Sequence, residues 1–378
     1  MSNYVVGTDG KFSVKKCKGD TIMKNLPEVI RTGVYRGGHI QGIAIDRERK
    51  YIYCSFTTEL VKLDLDGNEI GSVKGFTGHL GCLAYCKEDG RVYGSLEYKN
   101  DEIGRGVLRT MGIRKEIKDA FYIAAFDCEK ITRSGMSAET DGVMTTVFLR
   151  EPTEDYLYEW QDGEQTKKHR FGCSGIDGIT FAPIRGETRL LVAYGIYGDV
   201  ERSDNDYQVL LSYTPSELRP YEDVLRADHI HESGPLACKE RFFVYTGNTT
   251  YGVQNMEYDP YTGDILLAVY RGWKEQFPNF KLFSVDCSAE PKETELLGMN
   301  GVRGSELFLA RKGRCRNGIY GYRFPYGSTG MIALGDGYYY FSEDHSQNGE
   351  YSSDIRLYRY TGEDKGPFEA VVKGDQMV

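Results

Sequence analysis

The stretch His39-Ile40-Gln41-Gly42-Ile43-Ala44-Ile45-Asp46, followed by Tyr51-Ile52-Tyr53-Cys54-Ser55 and Leu60-Val61-Lys62-Leu63-Asp64, decides the fold. Each run is short, apolar and rich in β-branched or aromatic residues, and each is bounded by Gly, Asp or charged residues that favour turns. The first run recurs as Gly78-His79-Leu80-Gly81-Cys82-Leu83-Ala84-Tyr85 and as Gly175-Ile176-Asp177-Gly178-Ile179-Thr180-Phe181. It returns again as Gly252-Val253-Gln254-Asn255-Met256-Glu257-Tyr258 and Gly327-Ser328-Thr329-Gly330-Met331-Ile332-Ala333. Aligned on Gly42, Gly81, Gly178, Asn255 and Gly330, the steps are 39, 97, 77 and 75 residues, a repeat stretched by insertions.

Working outward, each first run is followed by a second strand: Tyr51–Ser55, Arg91–Ser95, Arg189–Tyr194, Asp264–Tyr270 and Tyr338–Ser342. Third strands follow at Leu60–Asp64, Phe121–Asp127, Tyr207–Tyr213, Lys281–Asp286 and Ile355–Tyr360, with fourth strands expected at Glu69–Lys74, Glu293–Gly298 and Phe368–Lys373. Four short strands per unit, repeated around the chain, make an all-β architecture, the five-bladed β-propeller. One blade cannot bury its own faces, so 1–378 is read as a single ring-shaped domain. Residues 1–35 are expected as an N-terminal extension packing on the propeller, and 101–120 as an insertion or lid in the second blade, with a short helix. A six- or seven-bladed ring with degenerate blades is the alternative, its extra material drawn from the N-terminus, 228–250 or 300–326; a two-domain sandwich comes third. The first unit, Gly42-Ile43-Ala44-Ile45-Asp46 through Leu63-Asp64-Leu65-Asp66-Gly67, resembles the blades of NHL and gluconolactonase-like propellers. That resemblance covers about 35 residues and implies architecture, not an activity.

Composition narrows the function classes. The 378 residues carry 47 Lys+Arg against 56 Asp+Glu, a net charge of −9, which argues against a duplex nucleic-acid partner. No apolar run approaches the ~20 residues a membrane helix needs. The first residues lack a signal peptide's basic and apolar regions, so a cytoplasmic setting is expected. Nine scattered cysteines fit buried free thiols in a reducing compartment; Cys82 and Cys86 lack the second pair of a zinc site.

In a propeller, residues just before the first strand and just after the second ring one mouth of the central channel. Here the entries supply His39, Gln41, His79, Asp177, Tyr251, Gln254, Asn255 and Thr329. The exits supply Glu59, Glu97, Lys99, Tyr194, Tyr197, Tyr270, Arg271, Trp273, Lys274, Glu343, Asp344 and His345. Three of the six histidines fall in this small part of the chain, which favours a working role for His39 and His79 over plain channel solvation. His345 reads better as part of an exposed loop, and His229 and His231 as structural or surface residues. Arg271 beside Trp273 suits a carboxylate clamp next to a stacking platform, or else a cation–π pair that packs a loop. Any one tyrosine is more readily a packed blade residue, since the chain has 29.

The inner-strand entries offer only Asp177 as a carboxylate, short of the set that propeller glycosidases carry. No nucleophile elbow, phosphate-binding loop or His-Glu-x-x-His is present. Two chemistries remain, both on a small-molecule or oligosaccharide ligand. The leading one is β-elimination on a uronate-containing sugar. His39 or His79 would act as base, Tyr194 or Tyr270 as proton donor, and Arg271 or Lys274 as carboxylate clamp. Gln41, Lys99, Tyr197, Gln254, Asn255, Trp273 and His345 would line the sugar. The alternative is metal-dependent hydrolysis (glycosidase, deacetylase or lactonase), with His39, His79, Glu97 and Asp177 holding a divalent metal ion. A non-catalytic carbohydrate- or protein-binding propeller is the contrasting class.

Overall fold

The computed structural model describes residues 26–114, 117–226 and 229–372. Five antiparallel units stand around a central axis. The first holds Ile40–Ile45, Tyr51–Phe56, Glu59–Asp64 and Glu69–Lys74; the second holds His79–Tyr85, Val92–Tyr98, Ala120–Phe126 and Met144–Phe148. The third runs Cys173–Ile184, Glu187–Ile196, Tyr207–Tyr213 and Glu240–Tyr245. The fourth runs Thr249–Asp259, Asp264–Arg271 and Leu282–Asp286, and the fifth Met331–Gly335, Tyr338–Gln347 and Glu350–Tyr360. This is the five-bladed β-propeller.

Strand alternation explains why five blades close. Successive side chains point to opposite faces, so a blade buries both faces only between two neighbours. In the second blade Val92 joins Tyr53 and Leu60 of the first, while Tyr93 joins Phe181 and Val192 of the third. The buried apolar residues accordingly form five clusters, one at each junction between blades. The cluster of Ile40, Ile43 and Ile52 with Ile332, Tyr340 and Ile355 closes the ring from the fifth blade to the first. Burying a side chain of this size stabilises by roughly 1.5–3 kcal/mol.

Closure also uses both ends of the described chain. Val29–Arg31 and Phe368–Ala370 both pair with Glu350–Tyr360. The expected 1–35 extension therefore divides: residues 1–25 lie outside the described residues, and Val29–Arg31 is a strand of the fifth blade. The insertion contains the helix Glu102–Thr110, capped by the Asp101 carboxylate, which accepts the N–H of Gly104.

One strand expectation is corrected. Lys292–Glu295 is not the outer strand of the fourth blade; it pairs with Arg303–Leu307, which lies parallel to Glu240–Tyr245 and widens the third blade. Leu282 and Val285 are instead bridged to Tyr322 and Leu309. Among the described residues, the segments held in reserve for a sixth blade thus go to the third, fourth and fifth blades and build no blade of their own. Of the described cysteines, Cys54, Cys82, Cys86, Cys128 and Cys173 are buried free thiols, and Cys315 is exposed.

Candidate functional site

The channel mouth owes its shape to irregular inner strands. Each of the first four is broken by a register shift near this end: Ile40/Gly42, Leu80/Leu83, Ile176/Ile179 and Thr250/Val253. Such bulges re-aim side chains that regular alternation would bury in the blade. The result is a cavity of about 170 Å³ lined by His39, Gln41, His79, Glu97, Lys99, Ile103, Ser174, Ile176, Asp177, Gly195, Tyr251, Gln254 and Tyr270.

Its floor is an ionic chain. Glu97 Oε1 accepts the Ile176 N–H at 2.7 Å, and Lys99 Nζ sits 2.8 Å from Glu97 Oε2 while donating to the Ser174 carbonyl at 3.0 Å. His79 Nδ1 lies 3.5 Å from the same Glu97 Oε2. Burial pushes the Glu97 carboxyl up, but Lys99 and His79 outweigh it and hold it below the usual range. Burial likewise pulls the Lys99 ammonium down, and Glu97 more than reverses that. The pair is a fixed, ionised support. Gly175 makes it possible: its φ is +128°, and a Cβ there would lie 1.9 Å from Glu97 Oε1.

Asp177 behaves differently. Burial pushes its carboxyl up to about 7; Glu97 adds to the rise, and His79 and Lys99 oppose it. Its Oδ1 is buried without a hydrogen-bond partner, and a Cβ at Gly81 would meet it at 2.2 Å. This carboxyl is therefore close to half-protonated at neutral pH. His39 is lowered by burial and by His79, so it is neutral there; Gln41 Nε2 lies 2.9 Å from its Nε2. Tyr270 is pushed up to about 12 by burial and by Asp177 and Asp344, so it keeps its proton.

Of the residues expected at the site, His39, Gln41, His79, Glu97, Lys99, Asp177, Tyr251, Gln254 and Tyr270 share this cavity. Asn255 sits just beneath, its amide donating to the carbonyls of Gln41 and Ser328 and tying three blades together. The others stand elsewhere. Tyr194 is wholly buried between the second and third blades, its hydroxyl donating to Asp155 Oδ2 at 2.8 Å. Tyr197 packs on His169 with ring centroids 5.0 Å apart. Lys274 is a buried structural cation, 2.6 Å from Asp206 Oδ1 and 2.9 Å from Asn205 Oδ1. Arg271 and Trp273 form a cation–π pair at 5.4 Å outside the cavity, with Trp273 64% exposed. His345 is exposed on the hairpin formed by the last two long strands, opposite Ser352.

The clamp and one donor of the elimination scheme, Arg271, Lys274 and Tyr194, are thus not at the cavity. The metal set does not assemble either. Glu97 is committed to Lys99 and Ile176, and among the described residues no three His, Cys, Asp or Glu side chains are grouped to hold an ion. Ser174 and Ile103 had not been expected in the lining. The first was hidden because the inner strand starts at Cys173, ahead of the aligned glycine; the second comes from the inserted helix.

No protein-family model and no curated protein matches the chain. Among solved structures it is similar to the β-propeller domain of Myceliophteria thermophila Cps50 (Swd1), at 10% identity and TM-score 0.32, covering 90% of this chain and 99% of that one. It is also similar to the PQQ domain of pyranose dehydrogenase from Coprinopsis cinerea, at 13% identity and TM-score 0.39, covering 83% and 81%. The carbohydrate-active enzyme of family AA12 from Trichoderma reesei is comparable, at 12% identity and TM-score 0.38, covering 83% and 80%.

Proposed function

We propose that the channel mouth is the active site of a carbohydrate-active lyase, which carries out β-elimination on one uronate-type sugar unit. The observation that carries this reading is Asp177. A carboxyl that is half-protonated near pH 7 shares a small cavity with two histidines and a protonated tyrosine. Elimination next to a carboxylate needs that carboxylate neutralised, a base for the adjacent C–H, and an acid for the departing oxygen.

Protonated Asp177, with the amides of Gln41 and Gln254, takes the substrate carboxylate in place of a cationic clamp. His79 is the base: Glu97 faces its Nδ1, which leaves Nε2 for the sugar, and the carboxylate steadies the imidazolium that forms. The C5 proton passes to His79, the C5–H electrons form the C4=C5 bond, and the C4–O bond breaks. Tyr270 then protonates the departing oxygen. A cavity of about 170 Å³ is below the roughly 300 Å³ of pockets for drug-sized ligands, so it takes one ring and leaves the remainder outside.

Incubation with oligomers of galacturonate, glucuronate and mannuronate tests this through the ultraviolet absorbance of the unsaturated product. The expected product signal is insensitive to EDTA and lost in His79→Ala. Cleavage that yields no unsaturated product, or that EDTA abolishes, points to the hydrolase instead and overturns the proposal. Binding unchanged in a His39→Ala, His79→Ala double variant, with no turnover in the parent protein, favours a non-catalytic propeller.

A further inference from the structure

The innermost strands end on the opposite face of the ring, and there they enclose a second cavity of about 580 Å³. Its walls are apolar, with Ile43, Leu83, Phe181, Ile332 and Leu334 drawn from four blades, and the remaining blade contributes Glu257. None of these residues belongs to the site described above.

Two polar groups here are left with bonding capacity unused. Glu257 Oε1 accepts the Ala333 N–H at 2.9 Å, and its other oxygen makes no hydrogen bond among the described residues. Burial pushes this carboxyl up to about 8, Asp259 adding to the rise while the Ala333 N–H and Lys87 oppose it, so at neutral pH it carries a proton to donate. Arg49 is the second. Its Nη2 donates to the Leu334 carbonyl, while Nη1 is buried with no acceptor.

The backbone marks Arg49 independently. It sits at φ +56° in the turn between the first two strands of its blade. In the other four blades this turn carries a left-handed glycine, Gly90, Gly186, Gly263 and Gly337, with Arg185 and Asp336 left-handed beside two of them, whereas the first blade has none and places Arg49 there. A side chain held where glycine is cheaper points to a use for that side chain.

Charge decides the sign of the ligand. Arg47, Arg49 and Lys87 line the cavity. Of the facing carboxylates, Glu257 is neutral, and Asp46, which accepts the N–H groups of Lys50 and Tyr51, remains with Glu88, so three cations face two anions. We propose that this far mouth is a second binding site, for a small organic acid with an apolar body. Arg49 takes the carboxylate, Glu257 donates a hydrogen bond to it, and the apolar walls hold the body.

The test titrates octanoate and benzoate into the full chain labelled at its isoleucine methyls, followed by NMR at pH 7. Saturable shifts are expected at Ile43 and Ile332, with Ile103 and Ile176 of the other mouth unmoved. Arg49→Gly is expected to weaken binding by at least about tenfold without lowering Tm, because it relieves the left-handed strain. Glu257→Gln, which keeps a donor, binds within about threefold of the parent. Absence of saturable shifts, equal binding by Arg49→Gly, or tighter binding of octylammonium than of octanoate would each overturn the proposal.

Discussion

Asp177→Asn is the most informative single change, because its effect on stability has a sign that depends on pH. The carboxyl is held at about 7 in the folded chain, against an ordinary value of 3.8. Between these values the folded state binds more protons than the unfolded one, so stability falls as pH rises through this window. Above pH 7 the penalty is complete; three pH units at 1.36 kcal/mol each put it at about 4 kcal/mol. At pH 5 only the first pH unit above 3.8 has been incurred, or about 1.5 kcal/mol, which leaves a difference between pH 5 and pH 8 of about 3 kcal/mol. Asparagine cannot ionise, so Asp177→Asn removes this dependence. Urea unfolding of both proteins at pH 5 and pH 8 measures it: the variant should gain about 3 kcal/mol relative to the parent between the two pH values. Glu257, also raised, cancels in the comparison because it is unchanged. The substitution bears on catalysis too. Asparagine still donates an N–H to a substrate carboxylate, so activity should persist and its decline above pH 7 should disappear. If the two proteins differ in stability by the same amount at both pH values, Asp177 is ionised throughout, and the basis of the elimination scheme fails.

Tyr270→Phe keeps the ring and removes the proton donor, so kcat should fall by about 10²–10³ with KM little changed; steady-state kinetics decides this, and an unchanged kcat removes Tyr270 from the reaction. Lys274→Met leaves Asp206 buried and unpaired, and should destabilise by roughly 3–5 kcal/mol in urea melts while refolded protein retains its KM. A raised KM at intact stability would return Lys274 to the binding site. Gly175→Ala places a methyl 1.9 Å from Glu97 Oε1 at a φ of +128°. It should cost at least about 2 kcal/mol and displace the Glu97–Lys99 pair, and a variant as stable as the parent would contradict the packing described here.

The architecture was legible because a propeller repeats one local pattern. The runs beginning at Gly42, Gly81, Gly178, Asn255 and Gly330 lie in the five inner strands, and alternation alone assigns Val92 and Tyr93 to opposite faces of one blade. The outer edges were harder to read. Lys292–Glu295 has the length and turn spacing of a fourth strand, yet it joins the third blade through Arg303–Leu307. Partner choice at an edge is set by which unpaired strand the connecting segment can reach, and that leaves no periodic trace in the sequence.

At the mouth, a residue's place in the ring was readable and its direction was not. Tyr270 and Arg271 are adjacent, and both were expected to face the ligand; the strand pairing sets them opposite Thr250 and Thr249, so they point to opposite sides. Tyr270 lines the cavity and Arg271 turns outward onto Trp273. Tyr194 was misjudged although its own strand is regular: it shares a face with Leu190, Val192 and Ile196 and meets Asp155 between the blades, while the register shift between Ile176 and Ile179 belongs to the neighbouring inner strand. A bulge adds one residue and reverses the parity of everything beyond it, so inward and outward exchange without any change in composition. The histidines escaped this ambiguity because they stand at the strand entries, where the chain has just turned in from the rim. Asp177 escaped it differently. It lies inside the bulge itself, where the side chain is released from the blade face and directed at the channel, and where burial, the neighbouring Glu97 and His79 bring its proton within reach of neutral pH.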